Sequence, residues 1–316
     1  MNVIETAGLT KTYGSRRAVD NLDLTVRRGE IYGFVGRNGA GKSTVMKMIA
    51  GLELPTSGEV SLFGERQAPG VTSRRLGALI ENPGIIPDLS GFDNVMCRAI
   101  ALGVADPSHA SAEALAMVGL ADAAKKRAKS YSLGMKQRLG LALALVGSPD
   151  VLLLDEPFNG LDPQGVRSMR DLIASLSRDR AITVFVSSHV LDQLERMVTR
   201  YGVLREGRLV KELSAEEVEH ACADYVRIRC AAPQFALAAL QEACPEGRFV
   251  AMADDSIRAF GIEPEQAGQA LFSAGIAVGE LSVQGRDIEE LFIGLMGEQD
   301  APESGARAAK GGGRRA

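Results

Sequence analysis

The stretch Gly36-Arg37-Asn38-Gly39-Ala40-Gly41-Lys42-Ser43-Thr44 follows the apolar run Ile31-Tyr32-Gly33-Phe34-Val35 and precedes the helix-like Val45-Met46-Lys47-Met48-Ile49-Ala50. Strand, glycine loop and helix in that order are the context in which the pattern G-x-x-x-x-G-K-[ST] binds phosphate. Gly36, Gly39 and Gly41 let the backbone wrap closely, so that successive N–H groups and the helix N-terminus face an anion. Lys42 is placed to bring its charge to the β- and γ-phosphates, and the Ser43 hydroxyl to coordinate Mg²⁺. All of residues 36–44 are expected to line the phosphate site.

The same strand-then-helix rhythm runs outward from this loop to about residue 213. Val3–Leu9, Asp20–Val26, Val60–Phe63 and Leu76–Ile80 read as further strands. Val151–Leu154 and Ile182–Val186 are short, wholly apolar runs, each ahead of a polar site and a helix, as in a parallel sheet covered on both faces. Gly202–Leu204 and Arg208–Lys211, joined by Glu206-Gly207, read as a hairpin that closes the unit. Between the two halves, residues 88 to about 147 are mainly helical, with helices expected at Asn94–Leu102, Ser111–Val118 and Leu133–Val146. From 215 to 297 a small α/β appendage is expected, with strands at Tyr225–Cys230 and Arg248–Met252 and helices at Pro233–Ala243 and Glu265–Ala274. Residues 298–316, rich in Gly and Ala and poor in large apolar residues, read as a disordered tail.

Composition narrows the setting. In 316 residues, 46% are hydrophobic and 24% charged, which is ordinary for a globular protein. A net charge of −4 gives no basic surplus, so no nucleic-acid partner is expected. Cys97, Cys222, Cys230 and Cys244 form no C-x-x-C pair and suggest neither a zinc site nor a disulfide framework. Met1–Thr6 lacks the basic-then-apolar pattern of a signal peptide. The longest uncharged apolar run, Leu139–Val146, is too short to span a bilayer. A cytoplasmic chain is expected, with any membrane role coming through a partner.

Three further segments carry chemistry. Val151–Leu154 ends in Asp155-Glu156, where Asp155 is placed to hold Mg²⁺ with Ser43, and Glu156 to orient or deprotonate an attacking water. His189 ends the next apolar run, within reach of a γ-phosphate. Tyr131-Ser132-Leu133-Gly134-Met135-Lys136-Gln137-Arg138 opens a helix, with Ser132 and Gly134 offering a hydroxyl and a bare backbone at its N-terminus.

In this order, with Asn159-Gly160-Leu161-Asp162 between the acidic pair and His189, the segments over residues 2–213 resemble the nucleotide-binding subunit of ATP-binding cassette (ABC) transporters. The resemblance implies a P-loop NTPase fold with a mixed sheet and a helical subdomain. It implies two subunits stacked head to tail, each ATP lying between one phosphate loop and the other subunit's signature helix. Tyr13 would then stack on adenine, Ser132 and Gly134 would meet the opposite γ-phosphate, and Asp162 would support contact across the homodimer. Two positions depart from the common pattern. The signature reads Ser-Leu-Gly-Met without its terminal Gln, and Glu81 occupies the metal-facing Gln slot in Leu79-Ile80-Glu81-Asn82-Pro83. Both forms resemble the bacitracin and lantibiotic export branch, and the related daunorubicin-type exporters also carry a C-terminal appendage.

The function this implies is an ATPase on the inner face of the membrane that powers export of a peptide, drug or lipid-like substrate through a separate transmembrane permease. The alternative is a soluble cassette ATPase with a regulatory, nucleic-acid or ribosomal role. Such proteins usually carry two cassettes or a zinc-bearing insertion, which this chain lacks.

Overall fold

The computed structural model describes residues 1–297 apart from 69, 253, 286 and 287. The expected tail at 298–316 lies outside the described residues. At the centre is a six-stranded sheet, built from β3 (Ile31–Val35), β6 (Leu76–Leu79), β7 (Val151–Asp155), β8 (Thr183–Ser188), β9 (Arg200–Arg205) and β10 (Arg208–Ser214). Its order is β10-β9-β3-β8-β7-β6, parallel from β9 through β6, with β10 turned antiparallel as the hairpin predicts. A second sheet, antiparallel throughout, has the order β2-β1-β4-β5 and comprises β1 (Asn2–Tyr13), β2 (Arg16–Arg27), β4 (Ser57–Leu62) and β5 (Glu65–Arg66).

Alternation along the central strands feeds two cores. Ile31, Val35, Leu152, Leu154, Val184 and Val186 face one. Tyr32, Phe34, Val151, Leu153 and Phe185 face the other, where Tyr32 and Phe185 stack at 5.3 Å. The second core lies between the two sheets and takes in Val45, Met46, Met48 and Ile49 of α1 (Lys42–Ile49). The first lies under α2 (Gly91–Leu102), α3 (Pro107–Met117), α4 (Leu133–Leu145) and α5 (Pro163–Arg180). These four helices start on side-chain caps from Ser90, Asp106, Ser132 and Asp162, each of which accepts an N–H of the first turn.

Gly77 sets how closely α4 approaches the sheet. A Cβ there would stand 2.2 Å from the Ala144 carbonyl oxygen and 2.9 Å from Leu152 Cδ2. Gly77→Ala is expected to cost about 1–3 kcal/mol, because a main-chain carbonyl cannot move aside as a side chain can. Denaturant unfolding of the variant would read this, and an unchanged midpoint would refute it.

A third sheet stands apart. It is antiparallel in the order β12-β13-β11-β14, from β11 (Tyr225–Cys230), β12 (Arg248–Ala251), β13 (Ser256–Phe260) and β14 (Val278–Gln284). The helices α7 (Pro233–Ala243) and α8 (Pro264–Ser273) close a small core with it around Val226, Ile228, Leu240, Ile257 and Leu271. The appendage expected over 215–297 is therefore divided by its packing. Val218 of α6 (Ala215–Cys222) and Phe292 of α9 (Ile288–Gly297) are buried in the first core, with Phe292 edge-on to Tyr201 of β9. The chain leaves the cassette, forms the third sheet and returns.

Candidate active site

The phosphate loop turns between β3 and α1 because its glycines take conformations that side chains resist. Gly39 and Gly41 have φ of +82° and +110°, and a Cβ on Gly41 would stand 2.4 Å from the Ala18 carbonyl oxygen. Gly36 is excluded from carrying one by the Leu204 carbonyl oxygen at 2.6 Å. The loop is thereby pressed between β2 and β9, with Arg37, Asn38 and Gly39 exposed at its crest and Ala40 buried beneath.

The loop borders an open cleft of ≈ 480 Å³, the size of a small-molecule pocket. Tyr13, Arg16, Asn38, Lys42, Ser43, Thr44 and Glu156 line it. Tyr13, at the end of β1, is 47% exposed, with the Lys11 ammonium 5.0 Å from its ring centroid. Arg16 gave no signal in the sequence. Its guanidinium donates to the Gly39 carbonyl oxygen (3.3 Å) and brings a cation to the rim.

At the floor, Lys42 is 6% exposed, and its ammonium donates to the Gly36 carbonyl oxygen at 2.7 Å. The same nitrogen lies 3.2 Å from Glu156 Oε1, an ion pair without hydrogen-bond alignment, so Oε1 is buried with no hydrogen-bond partner. Glu156 Oε2 lies 2.9 Å from His189 Nδ1. A carboxylate oxygen accepts, so Nδ1 carries the proton and Nε2 is left as the acceptor nitrogen of the ring. Glu156 sits at φ +49°, in the left-handed region that non-glycine residues avoid.

What holds that strained backbone is Ser187, a fully buried residue of β8 that the sequence reading passed over. Its hydroxyl donates to Asp155 Oδ1 at 2.6 Å and accepts the Glu156 N–H at 2.9 Å. One side chain thus orients both acids of the pair. Ser187→Ala is expected to lower kcat roughly 10- to 150-fold with little change in KM for ATP, since one buried hydrogen bond to a charged group is worth about 1.5–3 kcal/mol. Steady-state kinetics would show this, and a proportionate rise in KM instead would mean that Ser187 serves binding.

The remaining expected residues do not line the cleft. Glu81, at φ +60°, pairs with the Lys47 ammonium, and that hydrogen bond raises the Lys47 pKa. Ser132 is exposed and caps α4, accepting the Met135 N–H, with Gly134 one step into the helix. Asp162 caps α5 through the Gly165 N–H at 2.7 Å. Within one chain, then, Lys42, Asp155, Glu156 and His189 converge, while Ser132, Gly134 and Asp162 stand elsewhere.

The family model described as "ABC transporter" matches residues 19–159. The bacitracin transport ATP-binding protein BcrA of Bacillus licheniformis is 37% identical over 93% of this chain and 97% of its own. The lantibiotic transport ATP-binding protein SrtF of Streptococcus pyogenes is 38% identical over 66% of this chain and 90% of its own. Among solved structures, the dimeric post-hydrolysis state of the ATP-binding cassette MJ0796, bound to ADP and Pi, superposes with a TM-score of 0.61 at 26% identity, covering 67% of this chain and 98% of that one. With a phosphate loop, an acidic pair and a histidine assembled on one sheet edge, and a relative matched nearly end to end, the chain belongs to the ABC transporter family, as an ATP-binding subunit that hydrolyses ATP.

Proposed function

We propose that this chain is the motor subunit of an exporter, working as a homodimer beneath a separate membrane permease and expelling a peptide antibiotic or similar amphipathic compound. The observation that carries the reading is the near full-length match to a bacitracin transport subunit, which extends beyond the cassette through the third sheet. No described helix is long and apolar enough to cross a membrane.

Catalysis in this reading is positioning and charge neutralisation. Lys42 and the N–H groups of residues 39–44 hold the β- and γ-phosphates of ATP. Ser43 and Asp155 offer the oxygen donors that Mg²⁺ prefers, and the ion would supply neutralisation of the charge shared by the phosphates. The buried Oε1 of Glu156 fits this use, because it is an acceptor with no hydrogen bond to give up. Glu156 takes a proton from the attacking water, whose oxygen bonds to the γ-phosphorus as the bond to the bridging oxygen breaks, leaving ADP and inorganic phosphate. His189 holds the Glu156 carboxylate through Nδ1 and presents Nε2 to the transferred group. Tyr13 supplies a flat, half-exposed ring for the adenine.

Ser132 and Asp162, exposed, and Gly134, half-buried, stand on helix N-termini away from the cleft and serve the other subunit's nucleotide.

The reading is tested by expressing the chain with its cognate membrane protein in a sensitive host. Resistance to a bacitracin-type peptide is expected, together with co-purification of the two chains, and both the resistance and peptide-stimulated ATPase activity should depend on Glu156. Co-purification without any change in sensitivity to peptides or amphipathic drugs would remove the export assignment.

A further inference from the structure

The third sheet is covered by helices on one face only. On the open face stand Tyr225, Arg227 and Arg229 of β11, Arg258 and Phe260 of β13, Arg248 of β12, and Glu280 of β14 opposite Arg229, alternating with the residues that enter the small core. Residues 225–285 contain four basic side chains against seven acidic ones. All four arginines are on this face. In a segment that is acidic overall, that segregation is a local positive field with a defined position.

The arrangement is also layered. The Arg258 guanidinium lies 4.7 Å from the Tyr225 ring centroid, that of Arg248 lies 4.3 Å from Phe260, and the two rings are 5.5 Å apart. Flat guanidinium groups over flat rings on neighbouring strands make a tier that accepts another planar group. The charge on it is only partly offset, since Glu280 stands opposite Arg229 on the same face. Asp254 takes both Arg227 (2.6 Å) and Arg229 (3.3 Å), whereas Arg248 and Arg258 have no carboxylate partner among the described residues. Arg227 and Arg258 are moreover direct cross-strand partners in the β11–β13 register, a like-charge placement that costs stability in a sheet.

These features choose the occupant. A second copy of the same face would double the like charge, so self-association through it is disfavoured. An anion offsets the arginines, and a planar ring uses the tier. We propose that the open face of the third sheet binds a nucleotide unit, its base stacked on the Tyr225–Phe260 tier and its phosphate held by Arg248 and Arg258. This is a second nucleotide site, distinct from the ATPase cleft. The unit can come as a free nucleotide or within a single strand, since both present the same base and phosphate.

The test uses the full chain with Lys42→Ala, which weakens the phosphate loop. Two probes are titrated by fluorescence anisotropy: ADP carrying a methylanthraniloyl label, and a fluorescein-labelled single-stranded oligouridylate. At least one is expected to bind. Adding Arg248→Gln and Arg258→Gln should weaken that binding about tenfold or more, and Phe260→Leu should do so about tenfold through lost stacking. Binding of the labelled ADP marks a free nucleotide as the source. Binding of the oligouridylate alone, with affinity falling steeply as salt rises, marks a strand. With Lys42 intact, the paired arginine variant should keep the parent's ATPase rate. The proposal is overturned if neither probe binds at millimolar concentration, or if binding ignores these three substitutions. It is equally overturned if the face captures anionic vesicles or an acidic peptide while ignoring both probes.

Discussion

Glu156→Gln is expected to bind ATP at least as well as the parent and to hydrolyse it about 10²–10⁴-fold more slowly, the range that a positioned general base contributes. The geometry argues for a loss confined to chemistry. Glutamine keeps the size of the side chain and an oxygen that can accept the His189 Nδ1–H, now 2.9 Å from Oε2. The backbone N–H stays on the Ser187 hydroxyl, so the left-handed turn at residue 156 survives. What disappears is the negative charge beside Lys42 and the capacity to take a proton. Removing that charge frees the ammonium from its ion pair and lessens repulsion toward phosphates, so nucleotide affinity holds or rises. A chain that binds without turning over should collect as the closed dimer, visible by light scattering in the presence of ATP. Hydrolysis at the parent's rate would exclude Glu156 as the base, and a rate loss with ATP affinity lost in proportion would make it a binding residue.

Lys42→Ala should act on the other half of the cycle. Its ammonium is the only cation within hydrogen-bonding or ion-pair distance of Glu156 Oε1 among the described residues, and it is almost wholly buried. Hydrogen bonds to charged groups are worth about 1.5–3 kcal/mol, so losing its phosphate contacts is expected to weaken ATP binding roughly 10- to 150-fold. Hydrolysis should fall to background. The free protein also suffers, because the Gly36 carbonyl loses its donor and the Glu156 carboxylate loses its counter-charge in a buried setting. A lower melting temperature without nucleotide is therefore expected, measurable by calorimetry. Unchanged ATP affinity in a folded variant would mean that the N–H groups of the loop suffice.

Much of this site could be read from local sequence. The glycine pattern at 36–44 reports backbone conformation directly, since φ near +82° and +110° at Gly39 and Gly41 is costly for any side chain. Runs such as Val151–Leu154 declare a strand buried on both faces, and Asp155 and Glu156 then stand at its carboxyl end without further information. Ser132 and Asp162 announce helix starts, which is how they function within one chain. Less was legible in the third sheet. β13 and β14 escaped notice because Ser-Ile-Arg-Ala-Phe and Val-Gly-Glu-Leu-Ser-Val-Gln alternate apolar residues with arginine, glycine and glutamate. A half-open sheet requires nothing more hydrophobic than that.

The sequence by itself determined that the chain wraps phosphate, places two acids and a histidine at strand ends, and alternates helices with a parallel sheet. Each of those features depends on neighbours a few residues apart. Only the tertiary structure decided which distant groups share a hydrogen bond or a surface. Ser187 reaches Asp155 because β7 and β8 are parallel and in register, with Asp155 opposite Ser187. The helices at 215–222 and 288–297 belong with the cassette because Val218 and Phe292 are buried in its first core and not in the small one. Four scattered arginines become one charged face because strand pairing places them on the same side of a sheet whose helices cover only the other.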